Sequence, residues 1–270
     1  MSLVISLRVP DGIVVAADSL STAQNILNVV ARDEKSGKEI ELPPIPFPFS
    51  ASSYTQKLFS ILDKYALCTF GQGIINNKSI FYHVKEFENS IEKLKNKPKN
   101  LTQVLNRFTK YIESELLCQF PNYKKEAPDN WLPIGFHLNG YEKKNNRLIG
   151  VTYVAFIGNK NRINKKEGIG CTFGGEGKVV QKFWEIGKEN PKLQFKYNLF
   201  SLQDAIDFSK FLIQSTSTFQ RFANEVSIVG GEIDIALLTP FHGFQWIKRK
   251  SLMKKLEESI NEKNPTKTRK

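Results

Sequence analysis

The chain has 270 residues, 40% of them hydrophobic and 24% charged, a balance that excludes a wholly disordered protein and suits one large domain. The net charge of +12 invites a nucleic-acid or anionic-membrane reading, but the apolar runs, such as residues 13–17 and 235–238, are far shorter than the roughly 20 residues of a membrane span. Three cysteines, Cys68, Cys118 and Cys171, lack CxxC spacing, which argues against a disulfide framework or a zinc site and for a reducing compartment.

In chain order, residues 3–8 predict a short strand. The turn signal Pro10-Asp11-Gly12 follows. Residues 13–17 form a continuous apolar run that fits a buried strand, so the chain opens on a β-hairpin. Residues 23–53 break the pattern. A charged stretch from Arg32 to Lys35 runs into Leu42-Pro43-Pro44-Ile45-Pro46-Phe47-Pro48-Phe49, and four prolines so close exclude a helix and a central strand. This segment reads as an arm inserted in one domain; Ile45, Phe47 and Phe49 offer a docking surface or pack back on the body. Residues 57–61 and 65–70 predict two more strands, joined around Asp63 and Lys64, and Gly71-Gln72-Gly73 is a turn.

Helical periodicity then appears twice. Over 79–94 it aligns Ile80, Phe81, Val84, Phe87, Ile91 and Leu94, and over 101–117 it aligns Leu105, Phe108, Ile112 and Leu116; Lys97-Pro98 is the break. Strands are expected over 134–139 and 148–156, a Lys/Asn loop over 159–166, and a helix over 178–184. Ser201 reads as an N-cap with Asp204 at the capping-box position of another helix. Strands over 232–238 and 244–248 close the pattern. Strands and helices come in blocks, which favours an α+β fold of two packed antiparallel sheets with helices on their outer faces over a doubly wound parallel sheet.

The basic excess is unevenly spread. From Lys248 to Lys270 nine basic residues meet only Glu257, Glu258 and Glu262, so half of the net charge sits there. The division expected is one domain over 1–248, carrying the 23–53 arm, and a basic tail over 249–270. That tail reads as a solvated terminal helix, frayed at Asn264-Pro265-Thr266; a functional patch for nucleic acid is the rival reading.

Several site signatures fail. Gly174-Gly175-Glu176-Gly177-Lys178 is followed by Val179 and lacks Walker spacing. His83, His137 and His242 are dispersed without ligand spacing, and His83 reads as an ordinary surface or core residue. No GxSxG or Cys/His signature is present. No metal and no cofactor is expected.

One constellation is sharper. Ser2-Leu-Val-Ile-Ser-Leu-Arg-Val-Pro-Asp-Gly12-Ile-Val-Val-Ala-Ala-Asp18-Ser19 resembles the opening of proteasome β subunits, of the HslV peptidase and of the bacterial ancestral β-subunit class, all N-terminal nucleophile (Ntn) hydrolases. Counted from Ser2, Gly12 and Asp18 fall at the family spacing. Lys57-Leu-Phe-Ser-Ile61 is similar to the segment bearing the family's lysine, displaced by the insertion, and Gly71 follows at the interval of its oxyanion-hole glycine. Asn139-Gly140-Tyr141-Glu142, Gly175-Glu176-Gly177, Ser201-Leu-Gln-Asp204 and Gly230-Gly231-Glu-Ile-Asp234 resemble later family segments in the right order. The likeness spans about residues 2–248 without the arm.

What the resemblance implies is a four-layer αββα sandwich and a cytoplasmic hydrolase: a threonine- or serine-type peptidase with Ser2 as nucleophile once Met1 is removed. It implies Asp18 and Lys57 as the supporting pair, Gly71 as oxyanion donor, and Ser21, Thr22 and Gly73 flanking an extended peptide, with Thr69 at the first specificity pocket. A homo-oligomer, as a ring or stacked dimers, goes with it; whether an ATPase or unfoldase partner exists is open. An inactive structural subunit and an amidohydrolase for a small amide are the alternatives. Neither a membrane nor nucleic acid is the expected partner.

The chemistry is coherent on its own terms. A serine hydroxyl needs a base. A free α-amine, which ordinarily titrates at about 7.7–8.0, lies nearer neutrality than a lysine, and at a chain start both groups belong to one residue. A buried Lys57 would need Asp18, since an unpaired buried charge is costly. Singly, Asp18-Ser19 reads as a strand-end turn, Lys57 as a surface lysine and Gly71 as a turn glycine; the joint spacing carries the functional reading. The family's second aspartate is missing. Ungapped counting reaches Gln220 and back-counting from Gly230 reaches Val226, leaving Glu176, Asn224 and Ser227 as candidates to orient the amine.

Overall fold

The chain starts as the sequence predicts, with a hairpin whose continuous apolar runs are buried on both faces. In the computed structural model, which describes residues 2–27, 30–32, 39–41, 45–223 and 226–250, β1 (Leu3–Val9) turns at Pro10-Asp11 into β2 (Gly12–Ala17). Leu3, Ile5, Leu7, Val14 and Ala16 join one apolar cluster; Val4, Ile13, Val15 and Ala17 join another. Two buried faces explain why the run does not alternate with polar residues.

The inserted arm is a ribbon. β3 (Ser21–Leu27) pairs antiparallel with β6 (Ile45–Ser52), and β4 (Val30–Arg32) with β5 (Glu39–Glu41). Pro46 and Pro48 sit in β6, which pairs only with β3, so the absent N–H groups are tolerated as on any sheet edge. The docking expectation for Ile45, Phe47 and Phe49 falls on side chains outside the described set, as does the tail from 251 onward.

The remaining elements follow in order: β7 (Leu58–Ile61), β8 (Tyr65–Gly71), β9 (Ile74–Ile75), β10 (Lys78–Ser79), α1 (Ile80–Glu92), α2 (Leu101–Gln119), α3 (Tyr123–Glu126), β11 (Ile134–Lys144), β12 (Arg147–Ile157), β13 (Arg162–Glu167), β14 (Gly170–Gly175), α4 (Lys178–Glu189), α5 (Leu202–Phe222), β15 (Asp234–Thr239) and β16 (Gly243–Lys248). One sheet has the order β14-β1-β2-β15-β16 and the other β13-β12-β11-β8-β7. All the described pairings are antiparallel, so the fold is mixed α and β in the α+β manner.

Three apolar clusters hold it together. The first joins α1 and α2 to the second sheet through Val84, Phe87, Leu105, Phe108, Phe136 and Leu138. The second joins α4 and α5 to the first sheet through Val180, Ala205, Leu212 and Ile213. The third contains Val4, Ile13 and Val15 of the first sheet with Leu58, Cys68 and Phe70 of the second. Ser201 caps α5 with the reciprocal Asp204 contacts expected of it. The segment over 159–166, expected as a loop, contains β13, an edge strand exposed along its whole length. Among the described residues no helix is long and apolar enough to cross a membrane.

Candidate functional site

Strand ends converge at one end of both sheets. β2 ends at Ala17, opposite Val4 of β1 and Asp234 of β15, while β14 ends at Gly175, opposite Leu3. The residue after β2, Asp18, therefore lies beside the start of β1. It is wholly buried. Its Oδ1 accepts from the Leu3 N–H at 2.9 Å and from the Lys57 ammonium at 2.8 Å. Its Oδ2 accepts from the Leu20 N–H at 3.2 Å and the Gly230 N–H at 3.1 Å. Four donors thus satisfy both oxygens of this buried carboxylate.

Lys57, just ahead of β7, is 4% exposed. Its ammonium also donates to the Leu20 carbonyl. Burial pulls this ammonium below its ordinary value; the Asp18 charge and hydrogen bond pull it back up, and the charge of Lys250 adds to the lowering. Removing one partner of such a pair typically costs ~3–5 kcal/mol, because the other charge is stranded.

Ser2, 4% exposed, precedes the Leu3 amide that Asp18 holds. Its carbonyl accepts from the Glu176 N–H at 2.7 Å. Gly175 makes this approach possible: its φ is +86°, and a Cβ there would lie 1.9 Å from the Ser2 carbonyl oxygen. Ser2, Lys57, Thr69, Gly71, Gly73 and Ser21 line one cleft of about 350 Å³, within the usual size of ligand sites. Tyr54, Gln56, Phe70, Ile80 and Phe81 supply much of the rest of its wall, and among the described residues Lys57 is the one charged side chain lining it. Thr69 donates its N–H to the Lys57 carbonyl at 2.9 Å, which fixes the lysine's backbone against the end of β8. Gly71 has φ +91°, and a Cβ on it would meet the Pro133 carbonyl oxygen at 2.4 Å. Gly73 and Ser21 approach each other, the Ser21 hydroxyl lying 3.8 Å from where a Gly73 Cβ would be.

The other candidates fall elsewhere. Thr22 follows Ser21 on β3, opposite Ala51, and strand alternation keeps it off the cleft wall. The Glu176 carboxylate accepts from the Lys178 N–H at 3.3 Å at the start of α4, so its contact with Ser2 is through the main chain. Ser227 is half-buried in the loop after α5, and Asn224 lies outside the described residues. Gln220 is buried, and its Oε1 accepts from the N–H groups of Ile228 and Val229, both at 3.0 Å. It therefore fixes the loop whose next residue, Gly230, bonds Asp18.

Sequence reasoning missed a second buried ion pair. The Lys250 ammonium bonds the Asp234 carboxylate and the Thr55 carbonyl, the latter at 3.3 Å, and the Lys250 N–H donates to Asp234 Oδ1 at 3.1 Å. Lys250 is 2% exposed, which corrects its assignment to a solvated tail. The signal available was Asp234 itself, an acid heading a continuous apolar strand and so in need of a cation. Among the described residues, the ligand-type atoms of His83, Glu86 and Glu115 also gather, all within 4.8 Å of one another. They are occupied by their own contacts: His83 with the Ile75 carbonyl and Tyr111, Glu86 with Tyr111 and Lys78, Glu115 with Asn76. His83 is thus a satisfied core residue.

No model of a known protein family matches the chain, and no curated protein matches it.

Proposed function

We propose that the protein is a hydrolase of amide bonds, most simply a peptidase, whose nucleophile is the hydroxyl of Ser2 after loss of Met1. The observation that carries this reading is the Asp18 Oδ1 atom, which binds the Leu3 N–H beside Ser2 and the Lys57 ammonium at once, at the edge of a cleft lined by Ser2, Lys57 and Gly71. The resemblance to proteasome β subunits points the same way. The three apolar clusters fit the four-layer αββα arrangement that goes with it, one between the sheets and one under each helix pair.

In the proposed reaction the Ser2 Oγ attacks the substrate carbonyl carbon. Its proton passes to the Ser2 α-amine, which then delivers it to the departing amine. The Lys57 ammonium keeps the α-amine neutral and favours the developing alkoxide, and the Gly71 N–H faces the tetrahedral oxyanion, a contribution of ~3–4 kcal/mol per donor. Water then cleaves the serine ester by the same route in reverse. An extended peptide would lie between Ser21 and Gly73, pairing as an added strand. The apolar side chains of Phe70, Ile80 and Phe81 on the cleft wall suit a substrate side chain that is partly apolar. The same reading makes the protein cytoplasmic and homo-oligomeric, which light scattering on the purified protein checks.

Intact-mass spectrometry after treatment with a β-lactone tests the reading. Loss of Met1 and a single adduct on Ser2 are expected, with both adduct and peptide turnover abolished in Ser2→Ala. Full turnover in Ser2→Ala, or Met1 retained on active protein, would falsify the assignment.

A further inference from the structure

The second ion pair sits too close to the first to be independent of it. Asp234 opens β15 directly across from Ala17, the residue before Asp18, so two buried carboxylates occur near the ends of neighbouring strands. Each is met by a lysine from outside the first sheet: Asp18 by Lys57, Asp234 by Lys250. The two cations are linked through one short segment. Lys250 donates to the carbonyl of Thr55, Thr55 donates its N–H to the Ser19 carbonyl at 3.0 Å, and Lys57 follows two residues later.

Like charges packed together in a dry site repel, and the arrangement persists only because each carboxylate has its own counter-ion. Without Lys250, Asp234 would be an uncompensated buried anion, and the Lys57 ammonium, close enough to sense the Lys250 charge, is a cation able to answer it. We infer that Lys250, paired with Asp234, is a positioning residue that keeps the Lys57 ammonium committed to Asp18 and to the cleft beside Ser2. This rests on the hydrolase reading for its link to Ser2, and on the buried geometry alone for its link to Lys57.

The groups facing Lys57 set the sign of the effect. They are Asp18 after β2, Lys250 after β16 with Asp234 on β15 behind it, and the Ser2 end of β1. The Cys68 thiol on β8, which burial and Asp234 keep protonated, adds no charge. Burial is the largest influence on Lys57; of the charges, Asp18 raises its proton affinity and Lys250 lowers it. Neutralising Lys250 therefore raises the pH at which Lys57 loses its proton, and exposing Asp234 pushes the same way.

The test titrates the Lys57 ε-methylene by NMR in full-length protein carrying isotope-labelled lysine, its signal assigned by its loss in Lys57→Met. In Lys250→Met the midpoint is expected to rise relative to wild type. The alkaline limb of β-lactone labelling at Ser2 is expected to move up with it. Lys250→Arg, which keeps the charge, should leave both near wild type. If Lys250→Met does not fold, the neutral pair Asp234→Asn/Lys250→Gln replaces it, and a smaller rise in the same direction is expected. An unmoved Lys57 midpoint in the folded variant overturns the inference, whether or not Ser2 is labelled. A midpoint that moves in a protein whose Ser2 never reacts supports the coupling and sinks the hydrolase reading instead.

Discussion

At the scale of single residues, Gly71 and Gly73 make a controlled pair, because both line the cleft and only one is constrained. Gly71 holds a left-handed backbone and has the Pro133 carbonyl where a side chain would go; Gly73 has neither restriction. Gly71→Ala is expected to lose ~1–3 kcal/mol from backbone strain alone, with a further loss from the clash. Its peptide N–H would also shift, so turnover should fall more than the unfolding midpoint explains. Gly73→Ala should unfold like the wild type in urea and raise KM, since its methyl group narrows the gap to Ser21. Equal unfolding midpoints for the two variants would refute this account. The joint spacing of Ser2, Asp18, Lys57 and Gly71 made these positions visible in the sequence. Thr22 is not among the residues lining the cleft, and the contact of Glu176 with Ser2 runs through its main chain.

At the scale of elements, the loop between α5 and β15 does work that the sequence does not advertise. Gln220 is one of the two positions that counting reaches for the resembling family's second aspartate, and its single amide oxygen holds two backbone N–H groups. Gln220→Ala strands both donors, at about 1–3 kcal/mol each for buried groups. It also loosens Gly230, whose N–H bonds Asp18. Thermal unfolding should show a lowered midpoint, and Ser2 labelling should slow in parallel. A variant with wild-type stability would mean that water replaces the amide at no cost. Elements with buried faces were legible: β1, β2, β7 and β8 as apolar runs, α1 and α2 as 3.6-residue stripes, α5 from its cap. β13 was not, because an edge strand exposed on both faces needs no apolar period, and Arg-Ile-Asn-Lys-Lys-Glu reads as loop. Lys250 was hidden for the opposite reason: nothing local tells a buried lysine from its solvated neighbours.

At the scale of the whole molecule, the buried interior is not purely apolar, and that gives stability a pH dependence. His137 is wholly buried, with its Nδ1 at 2.9 Å from the Ser6 hydroxyl. Burial first, and the nearby Arg8 charge second, lower its pKa from 6.5 to about 3, against a small opposing contact with Phe173. The folded protein therefore keeps His137 neutral while the unfolded chain takes up a proton. Its contribution to stability is complete above about pH 6.5 and is lost as the pH falls towards about 3, at roughly 1.4 kcal/mol per unit while only the unfolded state is charged. Urea unfolding at pH 7 and pH 5 should show that loss in the wild type and a shallower one in His137→Gln; parallel slopes would place the titration elsewhere. The antiparallel, blockwise character of the fold was legible from the order of runs. A layered arrangement of the two sheets is implied by the resemblance alone, because no local pattern states which face of a strand meets which sheet.

The near-complete enclosure of Ser2 has a practical corollary for expression. On the hydrolase reading proposed above, any affinity tag fused upstream would convert the Ser2 α-amine into an amide. Recombinant material made that way should be inert until a protease trims it back to the serine, so a negative assay on tagged protein would carry no information about the native polypeptide.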